Sequence, residues 1–170
     1  MGFEICRTSK ELRNSLQCIF LSILIFNSVL VYAQLSSEPT LQASAIVIYD
    51  DNGGSLSLSF TSGNGSYKLI VARAGSPVNS NPVDGTTYSA SSIFGIGSQI
   101  GSGNFVMDGS SSITGFTVGV TYHFRIYEYN KTAAAGSANY NVTTATGNPV
   151  SFLRTEPEPS TQSSNISFTN

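Results

Sequence analysis

The sequence predicts an all-β protein: an antiparallel β-sandwich of about seven strands. Three observations point there. Short runs rich in Val, Ile, Tyr and Phe recur between clusters of Gly, Asn and Ser, the composition of strands joined by tight turns. Several of these runs alternate apolar and polar side chains with a period of two, as a strand with one buried face does. Beyond the first 33 residues, no stretch keeps helical periodicity for more than two turns. The region from Pro39 to Phe152 is long enough for one hydrophobic core and too short for two.

The chain opens on a leader. Arg7, Lys10 and Arg13 form a basic segment, Cys18 to Tyr32 an apolar one, and Ala33 offers a small residue for cleavage. That order predicts a signal peptide over residues 1–33 and a secreted or cell-surface, extracellular destination. Ser22, Asn27 and Ser28 interrupt the apolar stretch, which falls short of the ~20 apolar residues of a membrane span. No membrane span is therefore expected after signal cleavage. Cys6 and Cys18 leave with the leader, so the mature chain has no thiol for a disulfide, a metal or nucleophilic chemistry.

Residues 34–38 form a short linker, and the domain spans 39–152. Gln42 to Tyr49 is a first strand, with Ile46 and Ile48 on one face. Asp50-Asp51-Asn52-Gly53-Gly54 is a turn by composition. Ser55 to Thr61 alternates with Leu56, Leu58 and Phe60 inward, so the two runs read as a hairpin. After Gly63-Asn64-Gly65-Ser66, Tyr67 to Ala74 is apolar on both faces, the mark of a central strand. Gly75 to Ser112 is loop-like, with short strands expected at Thr86–Tyr88, Ser92–Phe94 and Asn104–Met107. From Tyr122 to Asn130 runs the longest strand, with Tyr122, Phe124 and Ile126 inward and His123, Arg125 and Tyr127 toward water. Lys131 to Ser137 is a loop tip, and Asn139 to Thr146 a last strand.

A repeat adds to this. Glu38-Pro39, Gln42, Ser44 and Ile46 recur as Glu158-Pro159, Gln162, Ser164 and Ile166, with Ile48 answered by Phe168. A period this long fits a tandem array of globular domains, with neighbouring domains of the same polypeptide as the partners. Residues 153–158 read as a Pro/Glu linker, and 159–170 as the start of a second, truncated copy.

Chemistry is sparse. After the leader, Lys68, Arg73, Arg125, Lys131 and Arg154 face eight carboxylates, a net charge of −3 with no basic stripe for nucleic acid. His123 is the sole histidine and has no evident co-ligands for a metal. Asp50 and Asp51 lack the alternating oxygen ligands of a calcium loop. The glycines from Gly95 to Gly103 do not follow phosphate-loop spacing, and no serine sits in a nucleophile elbow. No enzyme activity and no cofactor are expected. Tyr88, Phe94, Phe105, Tyr127 and Tyr129 supply either core packing or an aromatic surface for sugars, with packing the commoner fate.

The run Phe116-Thr117-Val118-Gly119-Val120-Thr121-Tyr122 resembles the corner before the sixth strand of a fibronectin type III domain. Val118 stands where that family has Pro, Val120 where it has Thr, and Phe60 takes the place of its core Trp. Val71 to Val78, Pro82 to Tyr88, Gly97 to Gly101 and Tyr122 to Asn130 are closer still to a variant in large exported proteins of gliding, type IX-secreting bacteria. The resemblance implies an immunoglobulin-like, Greek-key sandwich. It implies a core of Phe60, Phe116, Phe124 and Ile126, and a tyrosine corner at Tyr122 whose hydroxyl returns to the backbone upstream. In that strand order Arg73 and Glu128 lie on neighbouring strands, both at strand ends and facing inward by alternation, and an ion pair between them that closes one end of the sandwich is expected. The implied role is a non-catalytic spacer or adhesion module. The alternatives are a binding module for a glycan or a surface protein, and an accessory domain of a secreted hydrolase.

Overall fold

The computed structural model describes residues 34–51, 54–109 and 112–156. The leader, the centre of the Asp50–Gly54 turn and the second copy from Pro159 lie outside the described residues. Among those described there are seven strands and no helix: β1 Ser44–Asp50, β2 Leu56–Thr61, β3 Tyr67–Ala74, β4 Phe105–Met107, β5 Thr121–Asn130, β6 Asn139–Tyr140 and β7 Val150–Leu153. All pairings between them are antiparallel.

β1 and β2 form one sheet as the expected hairpin. The other sheet runs β4-β3-β5-β6, with β7 also paired to β5. β3 is therefore central, as its two apolar faces require. The core between the sheets joins Ile46 and Leu56 to Ile70, Ala72, Phe116, Tyr122, Phe124 and Ile126, with Phe60 partly buried against them. Each large apolar side chain buried there contributes roughly 1.5–3 kcal/mol.

Most of the opposite face of the larger sheet is not open to water. Leu69, Val71, Val106, Tyr127 and Tyr140 form a second apolar cluster there, covered by Val78, Tyr88 and Ile100 from the Gly75–Ser112 segment and by Ala138. The expected wet face of β5 is thus corrected: Tyr127 is fully buried, and His123 and Arg125 are half-buried. Periodicity reports which residues share a face. It cannot report that a long loop folds back over that face. Of the three short strands expected in this segment only Phe105–Met107 forms, while Ser91 and Ile93 make single bridges.

The expected last strand is also shorter. Only Asn139–Tyr140 pairs with β5, the chain then leaves the sheet, and β7 returns to the same edge near Thr121–Phe124. Between these contacts the β5 backbone is completed by side chains. Asn148 accepts the Ile126 N–H at 3.1 Å and donates to the Ile126 carbonyl at 2.8 Å. Gln42 accepts the Glu128 N–H at 2.8 Å, and the Glu128 carbonyl takes the Asn141 N–H at 2.9 Å. The same amides bind outward: Asn148 donates to Ala43 O, Gln42 to Asn141 O and Thr143 O, and Asn141 to Pro39 O. Gln42 therefore lies just outside β1 and acts through its side chain.

The corner before β5 is closed in the same style. Thr117 to Val120 form a turn with Gly119 at φ 80°, a conformation that suits glycine at the third position of a type II turn. The Tyr122 ring is buried, and its hydroxyl accepts the Thr117 N–H at 2.8 Å. Past β7, Arg154 exchanges backbone hydrogen bonds with Gly119 and Val120, and its buried guanidinium pairs with Asp50. Replacing Tyr122 with Phe removes the acceptor and leaves the ring in place. The expected loss is about 1 kcal/mol, read as a lowered urea midpoint at unchanged m-value. An unchanged midpoint would mean that the hydroxyl contributes nothing to the corner.

Candidate functional site

The ionisable groups of the domain divide into those held by the fold and those left open. Glu128 belongs to the first kind. Its side chain is fully buried, and its carboxylate accepts Gly63 N–H at 2.8 Å and Gly65 N–H at 3.1 Å. Lys68, its direct cross-strand neighbour, brings Nζ to 3.6 Å. Gly65 leaves room for this approach, since a Cβ there would stand 2.7 Å from Glu128 Oε2. The turn is also tied to the N-terminal segment, where Asn64 accepts the Leu41 N–H and donates to Thr40.

The expected Arg73–Glu128 pair is corrected on two counts. Arg73 sits opposite His123, five register steps from the Lys68–Glu128 pair. It also shares strand parity with Leu69 and Val71, which face the second cluster, whereas Glu128 shares parity with Phe124 and Ile126 of the first. The two side chains are therefore on opposite faces of the sheet. The two strands are neighbours as expected, but Arg73 faces the second cluster and not the inter-sheet core.

The loop acids Asp51 and Asp84 are both engaged within the fold. Asp51 accepts the Ser55 N–H at 3.0 Å and bonds the Ser55 hydroxyl, which is turn chemistry of the expected kind. Asp84 accepts the Tyr140 N–H at 2.9 Å. Among the described residues no group of three His, Cys, Asp or Glu side chains is close enough to hold a metal ion.

Of the five aromatics considered from sequence, Phe94 and Phe105 pack around the corner, with Phe94 5.1 Å from the Tyr122 ring and 5.2 Å from Phe105. Tyr127 is buried, with its hydroxyl on Ser80 O and Asn81 and the Arg125 guanidinium 4.5 Å from its ring centre. Tyr88 and Tyr129 enter a chain of four tyrosine rings. Tyr67 stacks on Tyr129 at 5.4 Å, Tyr129 on Tyr140 at 4.7 Å, and Tyr140 meets Tyr88 edge-on at 6.1 Å. Register explains it: Tyr67 and Tyr140 are the two cross-strand neighbours of Tyr129. Sequence reasoning missed Tyr67 and Tyr140 because it lacked that register.

At the outer end of this chain lies a cleft of about 450 Å³, bordered by Tyr67, Thr87, Lys131 and the Thr132–Ala138 loop. Tyr67 is 43% exposed, with the Lys131 ammonium 4.9 Å from its ring centre. One cation, an aromatic edge and hydroxyls beside small side chains can hold a polar ligand. The border contains no nucleophile paired with a base, so this cleft is equipped for binding.

Burial raises the pKa of Tyr140 above the usual tyrosine value, helped by Tyr129, Tyr88 and Asp84, and it also raises those of Tyr127 and Tyr129. Unfolded tyrosine ionises near ~10. A raised folded value means that the stability from these groups is complete below that pH and is lost as pH rises through the folded values. A native tyrosinate titration should therefore show a late fraction that shifts down to the ordinary value in urea. One transition at the same pH in both states would contradict the burial of these rings. Comparisons with known protein families, with curated proteins and with solved structures give no match.

Proposed function

We propose that this domain is a non-catalytic extracellular spacer or adhesion module, an immunoglobulin-like sandwich of fibronectin type III character set in a longer polypeptide. One observation carries the reading: the described chain comes in and leaves at opposite ends of β5. At one end Ser37 O accepts from the Asn130 side chain, and Ser36 N–H bonds Ser137 O. At the other end Arg154 is bonded to Gly119 and Val120, just before Thr121. Ten residues of β5 separate the two points, about 30 Å at strand rise. A domain strung this way lengthens a tandem chain with each copy. The Glu158-Pro159 recurrence and the Pro/Glu linker support the same reading from the sequence.

A second reading, a glycan- or protein-binding module, is favoured by the cleft beside Tyr67 and Lys131.

The test joins two copies of residues 34–158 head to tail and compares them with one copy by small-angle scattering, with the single copy also screened on a glycan array. The spacer reading expects the maximum dimension to grow by about one strand length or more, roughly 30 Å, with no array hits. Two copies folded side by side would overturn it. Hits lost in Tyr67→Ala would transfer the function to the cleft.

A further inference from the structure

We propose that Arg73, His123 and Ser151 form a binding row for an oxyanion, the sulfate or carboxylate group of a ligand. The three residues are direct register partners across three adjacent strands, β3, β5 and β7. Register partners project on the same face with Cβ atoms about 4.5–5.5 Å apart. The row is thus a guanidinium, an imidazole and a hydroxyl side by side, all able to donate hydrogen bonds.

The observation that points to a ligand is the Arg73 guanidinium. Its Nη1 is buried and has no hydrogen-bond partner among the described residues. A buried donor on a charged group is costly to leave unpaired, and such an orphan calls for an ion or solvent partner. Among the described residues no acid forms an ion pair with it. The two ion pairs among the described residues are Lys68–Glu128 and Arg154–Asp50, and neither reaches Arg73 or His123. Asp51 is held by Ser55 and Asp84 by Tyr140.

A second cation lies beside the row. Arg125 lies two residues beyond His123 on the same face, fixed by Asn81, by the Val142 carbonyl and by stacking on Tyr127. Its Nε is also buried and unpartnered. Two guanidiniums and an imidazole share one patch of a chain whose overall charge is −2. A planar guanidinium presents parallel N–H donors that match two oxygens of a carboxylate or sulfate. Access is from the β7 side: Arg73 and His123 are half-buried, and Ser151 is exposed. The row does not depend on the spacer reading, because it lies on the sheet face away from the inter-sheet core.

The experiment is an amide and side-chain NMR titration of the full chain with sodium sulfate and, in a second arm, sodium acetate, both at ionic strength held constant with chloride. Saturable shifts centred on Arg73, His123 and Ser151 are expected. Arg73→Gln should weaken binding by about tenfold or more, the loss of one charge-assisted hydrogen bond. Ser151→Ala and His123→Gln, both outside the buried cores, should weaken it several-fold and keep the row testable if Arg73→Gln does not fold. The stronger arm identifies the oxyanion as sulfate-like or carboxylate-like. Linear, non-saturating shifts, or equal binding by the folded variants and the parent, would overturn the proposal.

Discussion

The fold depends on how the outer edge of β5 is closed. β5 is the longest strand and carries the centre of both apolar clusters. On one side β3 pairs with it over eight residues. On the other side β7 covers only its beginning and β6 only its end. A buried strand edge with open N–H and C=O groups is not tolerable, because each unpaired group costs about 1–3 kcal/mol. Asn148 and Gln42 stand in for the missing strand residues: Asn148 bonds both backbone groups of Ile126, Gln42 bonds the Glu128 N–H, and each also bonds a second segment of chain. The segment before β1, the stretch between β6 and β7 and the sheet are therefore joined by amide side chains. Glu128 extends this closure to the turn between β2 and β3.

This arrangement explains which parts of the structure were legible in the sequence. Strands with alternating or doubly apolar residues, β1, β2, β3 and β5, were readable because burial enforces a period of two. So was the corner, since Phe116, Gly119 and Tyr122 are spaced as the turn requires. The β6–β7 region was not. There the chain follows hydrogen bonds made by Asn141 and Asn148, and an asparagine in sequence looks the same whether it completes a sheet or caps a surface turn. The second cluster was hidden for a related reason. Val78, Tyr88 and Ile100 stand in a Gly- and Ser-rich stretch without periodicity, yet they cover much of a sheet face.

Candidate chemistry followed the same division. Glu128 looked like half of an end-of-strand ion pair and instead anchors a turn through glycine N–H groups, with Lys68 as its cation. Arg73 looked paired and has an unpartnered buried nitrogen. The Arg73 outcome comes from parity along β3, which one misjudged residue reverses completely; the Glu128 outcome comes from register, which sets Lys68 opposite it. The tyrosine chain from Tyr67 to Tyr88 also depends on register, and it places the open cleft at the end of β5 where the chain comes in. Arg73 and His123 lie toward the other end of β5, near where the chain leaves. The module thus offers two separate polar surfaces without disturbing the inter-sheet core.

The most direct test of this account is native-state hydrogen exchange at Ile126 and Glu128. Their amides point away from β3 and are bonded only by the Asn148 and Gln42 side chains. If those side chains truly complete the sheet, both amides should exchange as slowly as those of Leu69 to Ala72 in β3, at the limit set by global unfolding. Exchange at the rate of an exposed loop, with β3 still protected, would contradict it.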